Sequence, residues 1–413
     1  MILAKSRIHT KSEPLWSWLV LYLIAYLLLT LLPMVKYSVP YLVAGVFCLL
    51  PLLAAGWRNS KYGAVLLVLF VWGALQGTVA YLTGNAAVTE LINEPVRAMR
   101  YFVPCVLYEM LANKPRRQQR LIWCFASAVM LFVLFSTLTA VTENPMIARL
   151  LAGSVTQTQN LNVFRMQNVG GFEFCYAVGF TAPVWIYLLL RGRWPVRIAC
   201  AAALLLVLYF AFQVQYMTLL LLALLSVALT VLLCADKISV RIGIGAAMLL
   251  LVLLLPTLFE WISGFEGLGM QLRDKFFSLS QAFSGTGTLN DTSSRFELYR
   301  NALLDFIRSP LWGSVSSAAS AASHSVFLGT ASSAGVIGLG FVIWWMRRYY
   351  RHDLSSLRAQ SIDTKPFSAA FILFLVLAML NPVQYCYEIS AIVFFYVPLT
   401  VQLWSPQPQT SEE

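Results

Sequence analysis

Charged residues are scarce in this sequence, and their scarcity excludes a soluble globular fold. Asp, Glu, Lys and Arg make up 11% of the 413 residues, whereas 59% are hydrophobic. A soluble domain carries about 25% charged residues, so this chain lacks the polar surface to cover its apolar residues in water. The net charge of +11 does not predict nucleic-acid binding, because the basic residues stand between apolar stretches and not in one patch.

Metal-binding and nucleotide-binding motifs are also missing. The seven cysteines are widely spaced in or beside apolar stretches, without a Cys-x-x-Cys pair, which is typical of small buried side chains. There is no P-loop, no His-Glu-x-x-His motif and no glycine-rich dinucleotide fingerprint. We therefore expect neither a bound metal ion nor a cofactor.

Long apolar stretches dominate what is present. They lie at about 15–34, 38–57, 62–82, 97–113, 121–141, 171–190, 197–213, 216–234, 241–258, 324–346, 366–382 and 387–404. Each approaches the ~17–25 residues that cross a hydrocarbon core, so the sequence predicts an all-α, polytopic membrane protein with about 12 transmembrane helices. The first stretch lacks a small-residue cleavage site, and we expect it to be retained.

Basic residues predict the orientation in the membrane. With the N-terminus inside, 19 of the 29 basic residues fall in the N-terminal segment and in alternate connections. The positive-inside rule then places both termini in the cytoplasm. This assignment depends on a turn at Gln213-Val214-Gln215-Tyr216, because a single span over 197–234 would invert every later connection.

The same pattern predicts three polar loops on the outer side, at 83–96, 142–170 and 259–323. The chain then divides into nine helices with two outer loops (1–258), the large loop (259–323), three more helices (324–404) and a cytoplasmic tail (405–413). Within the large loop, helical spacing of Leu272, Phe276, Leu279 and Phe283 predicts an amphipathic surface helix.

A second helix is predicted later in the large loop. Ser294 followed by Glu297 is a capping-box signature, and Ser309-Pro310 predicts the end of the helix. Tyr299 and Arg300 lie on this helix and are candidates for substrate binding.

Several arginines fall on the outer side. They are Arg97 and Arg100 at the start of the fourth stretch, Arg165 in the second outer loop, and Arg295, Arg300 and Arg308 on the capped helix. Arginine is always charged, and its planar donor fork matches phosphate oxygens. These residues therefore predict phosphate binding, with snorkelling or a rim salt bridge, such as Arg97 with Glu94, as the structural alternative.

One of the three histidines falls on the outer side. His9 and His352 belong to the cytoplasmic side, whereas His324 ends the large loop. An imidazole is suited to proton transfer near neutral pH, so His324 is a candidate base, with a purely structural role as the alternative.

Four short segments resemble the signature region of the O-antigen polymerase and O-antigen ligase superfamily. They are Ser294-Arg295-Phe296-Glu297-Leu298-Tyr299-Arg300-Asn301-Ala302-Leu303, Ser309-Pro310-Leu311-Trp312-Gly313, His324-Ser325 and Ala334-Gly335-Val336-Ile337-Gly338-Leu339. Members of this family combine an arginine-bearing loop helix, a Pro-x-x-Gly turn, a histidine at the entrance of a helix and Gly-x-x-Gly within that helix. The expected number of spans and the long, partly helical outer loop late in the chain are similar too, as in membrane glycosyltransferases of the GT-C type.

The resemblance implies a metal-independent, inverting glycosyltransferase of the bacterial cytoplasmic membrane. Its donor would be a glycan linked to undecaprenyl pyrophosphate, used on the outer leaflet. By the same resemblance Arg295, His324 and Arg165 match the catalytic arginine, histidine and earlier-loop arginine. Family members often carry an arginine at the start of the eighth span, where this chain has Gln215, which makes Gln215 a substrate-binding candidate.

Three functions remain open at this stage. The favoured one is a polymerase that joins lipid-linked repeat units into O-antigen, capsular or exopolysaccharide, with membrane lipids and a chain-length regulator as further partners. The second is a ligase that transfers the finished glycan to lipid A-core. The third, from another class, is a flippase or transporter, which would place paired charges or broken helices within the membrane.

Overall fold

The described residues of the protein are helical or lie in turns and connections, and no strand occurs among them. A computed structural model describes residues 16–56, 60–82, 84, 87–144, 147, 151, 158–266, 273–274, 276–277, 280–281, 292–314, 325–381, 383 and 386–405. The all-α class expected from the sequence therefore holds for this part of the chain.

The first helices extend to the middle of the chain. They are α1 (Trp18–Leu31), α2 (Pro33–Ser38), α3 (Tyr41–Gly56), α4 (Ser60–Leu82), α5 (Glu90–Arg100), α6 (Val103–Ala112), α7 (Arg116–Glu143), α8 (Thr158–Met166), α9 (Phe172–Gly179) and α10 (Ala182–Arg191). Helix α5 occupies much of the predicted loop 83–96, so this loop is partly a helix that folds back along α4.

The remaining helices include the motif region. They are α11 (Trp194–Gln213), α12 (Met217–Cys234), α13 (Ile238–Ser263), α14 (Thr292–Arg308), α15 (Val326–Ala359), α16 (Lys365–Leu380), α17 (Tyr387–Ala391), a π-helical turn (Ile392–Tyr396) and α18 (Val397–Trp404). Helix α14 begins two residues before Ser294 and ends directly before Ser309-Pro310, where the sequence predicts its end.

Six helical segments of the described part are long and apolar enough to cross a membrane. They are Ala64–Leu82, Arg116–Glu143, Phe172–Arg191, Trp194–Gln213, Val326–Ala359 and Tyr387–Trp404. In the most apolar 18-residue stretch of each segment, 83% of the residues of Tyr387–Trp404 are buried, whereas only 22% of those of Trp194–Gln213 are. The last segment is therefore the centre of the bundle, and Trp194–Gln213 lies at its periphery.

The turn on which the predicted orientation depends is present. Helices α11 and α12 are separated at Gln215, whose φ of 55° lies in the left-handed region and ends the helix. At the other end of this pair, the Arg191 guanidinium donates to the carbonyl of Cys234 at 3.0 Å. The two helices are therefore antiparallel neighbours and not one span.

Helix α15 is broken at Gly335, which differs from the single span expected over 324–346. Gly335 has φ 60° and ψ −155°, a conformation open essentially to glycine alone. A Cβ at Gly338 would touch the side chain of Thr330, although eight residues of continuous helix span about 12 Å. The segment Val326–Ala334 therefore folds back against the helix that follows Gly335.

The segments that connect the helices contact one another at two opposite ends of the bundle. At one end, hereafter the Lys36 end, α2 meets the first turns of α9 and α17. At the other, the His352 end, Asp236 contacts Arg191 and Lys365 at 2.5 and 3.9 Å. Connections that the basic residues assign to a common side thus lie at a common end.

Candidate functional site at the Lys36 end

A lysine between two carboxylates forms the centre of the site. The Lys36 Nζ lies 2.5 Å from Glu173 Oε2 and 2.5 Å from Glu388 Oε1. Pro33 starts α2 and fixes its first turn, while each glutamate stands in the first turn of its own helix. A negative side chain is stabilised there by the unpaired N–H groups of the helix N-terminus.

The charged groups of this cluster are largely buried, so each of them needs a partner of opposite charge. Glu388 is 6% exposed, and a buried charge is tolerated only when it is paired. Burial alone would lower the pKa of Lys36, but Glu173 and Glu388 outweigh it and hold that pKa well above its ordinary value. Lys36 is therefore a fixed cation that joins three helices which are far apart in the sequence.

Arg165 extends the cluster towards the loop that precedes α9. Its guanidinium lies over the Tyr37 ring, 4.1 Å from the centroid, and it donates a long bond of 3.4 Å to Asn162. The loop is attached to α2 by Asn168, whose Oδ1 accepts from the backbone N–H of Met34 at 3.1 Å. Arg165 is thus placed beside Lys36 through the intervening aromatic ring.

Arg100 joins the cluster from another side. It is 4% exposed, and its guanidinium lies 4.0 Å from the centroid of Tyr387, the residue before Glu388. The neighbouring Tyr101 hydroxyl donates to the carbonyl of Val383 at 2.6 Å. Two of the predicted arginines therefore lie beside the ion pairs, each on an aromatic ring next to a charged member of the cluster: Arg165 on Tyr37 and Arg100 on Tyr387.

A cavity of about 80 Å³ adjoins the site between α4, α5 and α15. The ion pair of Glu94 and Arg97 lines it together with Gln76. Gly73 permits this arrangement, because a Cβ there would collide with the backbone of Glu94 and Pro95. The aromatic lining residues are Trp72, Tyr101, Phe341, Trp345 and Tyr349.

The motif segments after α14 and within α15 pack directly on each other. The carbonyl of Pro310 accepts from Val336 N at 2.8 Å, and Ser314 N donates to the carbonyl of Ser332 at 2.6 Å. A side chain at Gly335 would collide with the backbone of Leu311. The Pro-x-x-Gly turn is therefore seated on the break in α15, whose folded-back segment lines the cavity.

The remaining predicted site residues are distributed as follows. Gln215 lies at the α11–α12 turn, where Tyr216 contacts the Tyr176 ring at 5.9 Å, one turn after Glu173. Tyr299 is half-buried and Arg300 is exposed on α14. Arg295 belongs to α14, but its side chain lies outside the described residues, and so does His324.

Sequence reasoning did not select Lys36, Glu173 or Glu388 as site residues. The available signal was an ionisable residue beside an apolar stretch, which in a membrane protein marks functional positions. Nothing in the sequence pairs the three residues, because they come from distant helices.

The arrangement combines fixed cations, aromatic faces and carboxylates at one end of an apolar bundle. Guanidinium groups can bind phosphate oxygens, and carboxylates can orient hydroxyl groups or accept protons. Comparison with protein-family models finds no match to this chain, and comparison with curated proteins finds none either.

Proposed function

We propose that this protein is a membrane glycosyltransferase that polymerises undecaprenyl-pyrophosphate-linked repeat units. The observation that carries the proposal is the joining of Arg100 and Arg165 to one buried polar cluster at one end of an apolar bundle. Their convergence is what a pyrophosphate site without a metal requires.

The proposed reaction displaces pyrophosphate from the anomeric carbon of the donor. The acceptor hydroxyl forms the new glycosidic bond with inversion, and the bond from carbon to pyrophosphate oxygen breaks. Arg165, Arg295 and Arg100 stabilise the negative charge that develops on the leaving undecaprenyl pyrophosphate. His324 accepts the hydroxyl proton as general base.

The cavity beside Arg97 suits a sugar unit of the glycan. Pockets for small ligands combine apolar and aromatic walls with a few polar groups, and here Glu94, Arg97 and Gln76 stand among aromatic rings. Its volume of about 80 Å³ exceeds that of several water-sized sites, so one ring or one phosphate fits and a whole repeat unit does not.

An apolar groove, whose lining reaches the His352 end at Pro195 and Trp404, is a candidate place for the tail of the lipid donor. It measures about 510 Å³ and is bordered by α7, α10 and α11. Several polar atoms at its edge bond one another or a neighbouring residue, as Trp185 Nε1 does with Thr181 Oγ1 at 3.0 Å and the Ser127 hydroxyl with that of Tyr396 at 2.8 Å. A prenyl chain would lie there without desolvating polar atoms.

The proposal includes the location and the topology. About 12 spans would cross the bacterial cytoplasmic membrane, with both termini and the His352 end in the cytoplasm and the Lys36 end on the outer side. The active site would then face the outer leaflet, where flipped lipid-linked glycans are found.

Product analysis with the purified full chain tests the proposal. Supplied with the lipid-linked repeat unit isolated from the host, the protein should produce a ladder of longer lipid-linked glycans. His324→Ala should lower turnover by roughly 10²–10⁴-fold, the usual contribution of a positioned acid–base group. Absence of any longer product from the unaltered protein would contradict the glycosyltransferase function, and a product formed only with lipid A-core would identify a ligase.

A transport function is the second candidate, because Lys36 is buried between two carboxylates and α15 is broken at Gly335. Both features occur in transporters. Proteoliposomes with a fluorescent prenyl-pyrophosphate glycan separate the two candidates. A flippase would expose the label to an external quencher without forming product, and Glu388→Gln would slow this movement.

A further inference from the structure

Four metal-ligating side chains that the proposed reaction does not use converge where α6 packs on α15. Cys105 and Glu109 lie one helical turn apart on α6, and His352 and Asp353 are consecutive on α15. All three of Cys105, His352 and Asp353 are buried, with exposed fractions of 0%, 7% and 0%. Packing of α6 on α15 brings these residues together.

Their donor atoms are close enough to share one ion. The Cys105 sulfur, a His352 ring nitrogen and an Asp353 carboxylate oxygen all lie within 4.8 Å of one another. His352 Nδ1 is 3.0 Å from Asp353 Oδ1, while its Nε2 is 2.7 Å from Glu109 Oε2. Ligands about 2.0–2.3 Å from a tetrahedral zinc ion stand at comparable mutual distances.

One carboxylate oxygen of the cluster has no partner among the described residues. Two carboxylates face one imidazole, and Asp353 Oδ2 is buried without a hydrogen-bond partner among the described residues. A buried carboxylate oxygen without a partner is unfavourable in a low dielectric. A divalent cation at this point would supply the missing partner.

We propose that Cys105, His352 and Asp353 bind one Zn²⁺ ion. A thiolate, an imidazole and a carboxylate form a donor set that zinc accepts. His352 would bind through Nδ1, and its Nε2–H would donate to Glu109, which is the carboxylate–histidine arrangement that orients zinc ligands. Water would occupy the fourth position, and binding would release the Cys105 proton to solvent.

The geometry also indicates how the ion would reach the cluster and what it would do there. The side chain of Glu109 is 31% exposed, so the cluster is reached past this residue from the end of the bundle. The ion would join α6 to α15 and stabilise their packing. Its ligands take no part in the proposed glycosyl transfer, so the proposal does not depend on that function or on its metal-free chemistry.

Metal content tests the proposal directly. The full chain, purified in detergent, loaded with Zn²⁺ and then desalted, should retain about one zinc per chain by mass spectrometry. Cys105→Ser and Asp353→Asn should each lose most of it. Cys124→Ser is the matched control, because Cys124 is exposed and lies outside the cluster, and this variant should retain the ion.

Cobalt substitution provides a readout that does not depend on how the variants fold. Co²⁺ bound to the unaltered protein should show a thiolate-to-cobalt charge-transfer absorption in the near ultraviolet, which Cys105→Ser abolishes and Cys124→Ser keeps. An unaltered protein without retained zinc and without this absorption would identify the cluster as an internal ion-pair network and overturn the proposal. Zinc retained by Cys105→Ser at the unaltered level would overturn it as well.

Discussion

At the scale of single residues, the question is what a buried or stacked arginine does for the protein. Arg165 covers the face of Tyr37 and, among the described residues, donates one long bond of 3.4 Å to Asn162. A cation–π contact is worth about 0.5–2 kcal/mol and leaves much of the donor fork available to a ligand. Arg165 therefore combines a fixed position with free donors, as a phosphate ligand should.

Replacement of Arg165 separates binding from packing. Arg165→Ala should lower polymer formation by roughly 10²-fold or more, as the loss of one charge-stabilising donor does, while its abundance in the membrane stays near normal. Arg165→Lys should restore little, because lysine keeps the charge but lacks the fork. Ladder formation and membrane abundance are the measurements.

Arg193→Ala is the matched control, because Arg193 is exposed in the connection between α10 and α11 near the opposite end. It should keep full activity. If Arg165→Ala were equally active, Arg165 would have only the structural role of stacking on Tyr37.

At the scale of elements, the break in α15 is what forms the cavity wall. The segment Val326–Ala334 folds back because Gly335 adopts φ 60°. Gly335 has no side chain, so the backbone of the turn after α14 can pack directly against it. Pro310 contributes its carbonyl, which receives Val336 N at 2.8 Å. The two motif segments thus act as one structural unit.

Gly335→Ala tests this unit. The Cβ would force a glycine-only conformation, at about 1–3 kcal/mol for the backbone alone, and would collide with Leu311. We expect a clear fall in the temperature of thermal unfolding in detergent. Gly340→Ala, later in the same helix, meets nothing within 4 Å and should be neutral or slightly stabilising. Equal stability of the two variants would contradict the break at Gly335.

At the scale of the whole molecule, orientation decides which end meets which substrate. The contacts of Asp236 with Arg191 and Lys365 gather three predicted cytoplasmic connections at the His352 end. The contacts of Lys36 with Glu173 and Glu388 gather three predicted outer positions at the other end.

Cysteine labelling measures the orientation. In a background without the seven native cysteines, Thr286→Cys or Thr288→Cys in the large loop should react with an impermeant thiol reagent in spheroplasts. Lys237→Cys, in an exposed connection at the His352 end, should react only after lysis. The reverse pattern would place the Lys36 end in the cytoplasm and remove the proposed outer-leaflet chemistry.

The sequence by itself determined the helical class, the several helices of membrane-spanning length, the turn at Gln215 and the end of α14 before Pro310. These features follow from local rules, since hydropathy decides what lipid accepts and proline ends a helix wherever it stands. It also singled out Arg100 and Arg165 as phosphate-binding candidates, because arginine has a permanent charge and a donor fork that matches phosphate; this role stays a prediction.

Only the tertiary structure decided which ionisable residues meet. Lys36, Glu173 and Glu388 come from three distant helices, as Cys105 and His352 come from two, and no local spacing relates them. The break in α15 likewise escaped the sequence, because glycine is also tolerated within a continuous helix. Its left-handed conformation at Gly335 depends on the turn after Pro310, a contact that exists only once the helices have packed.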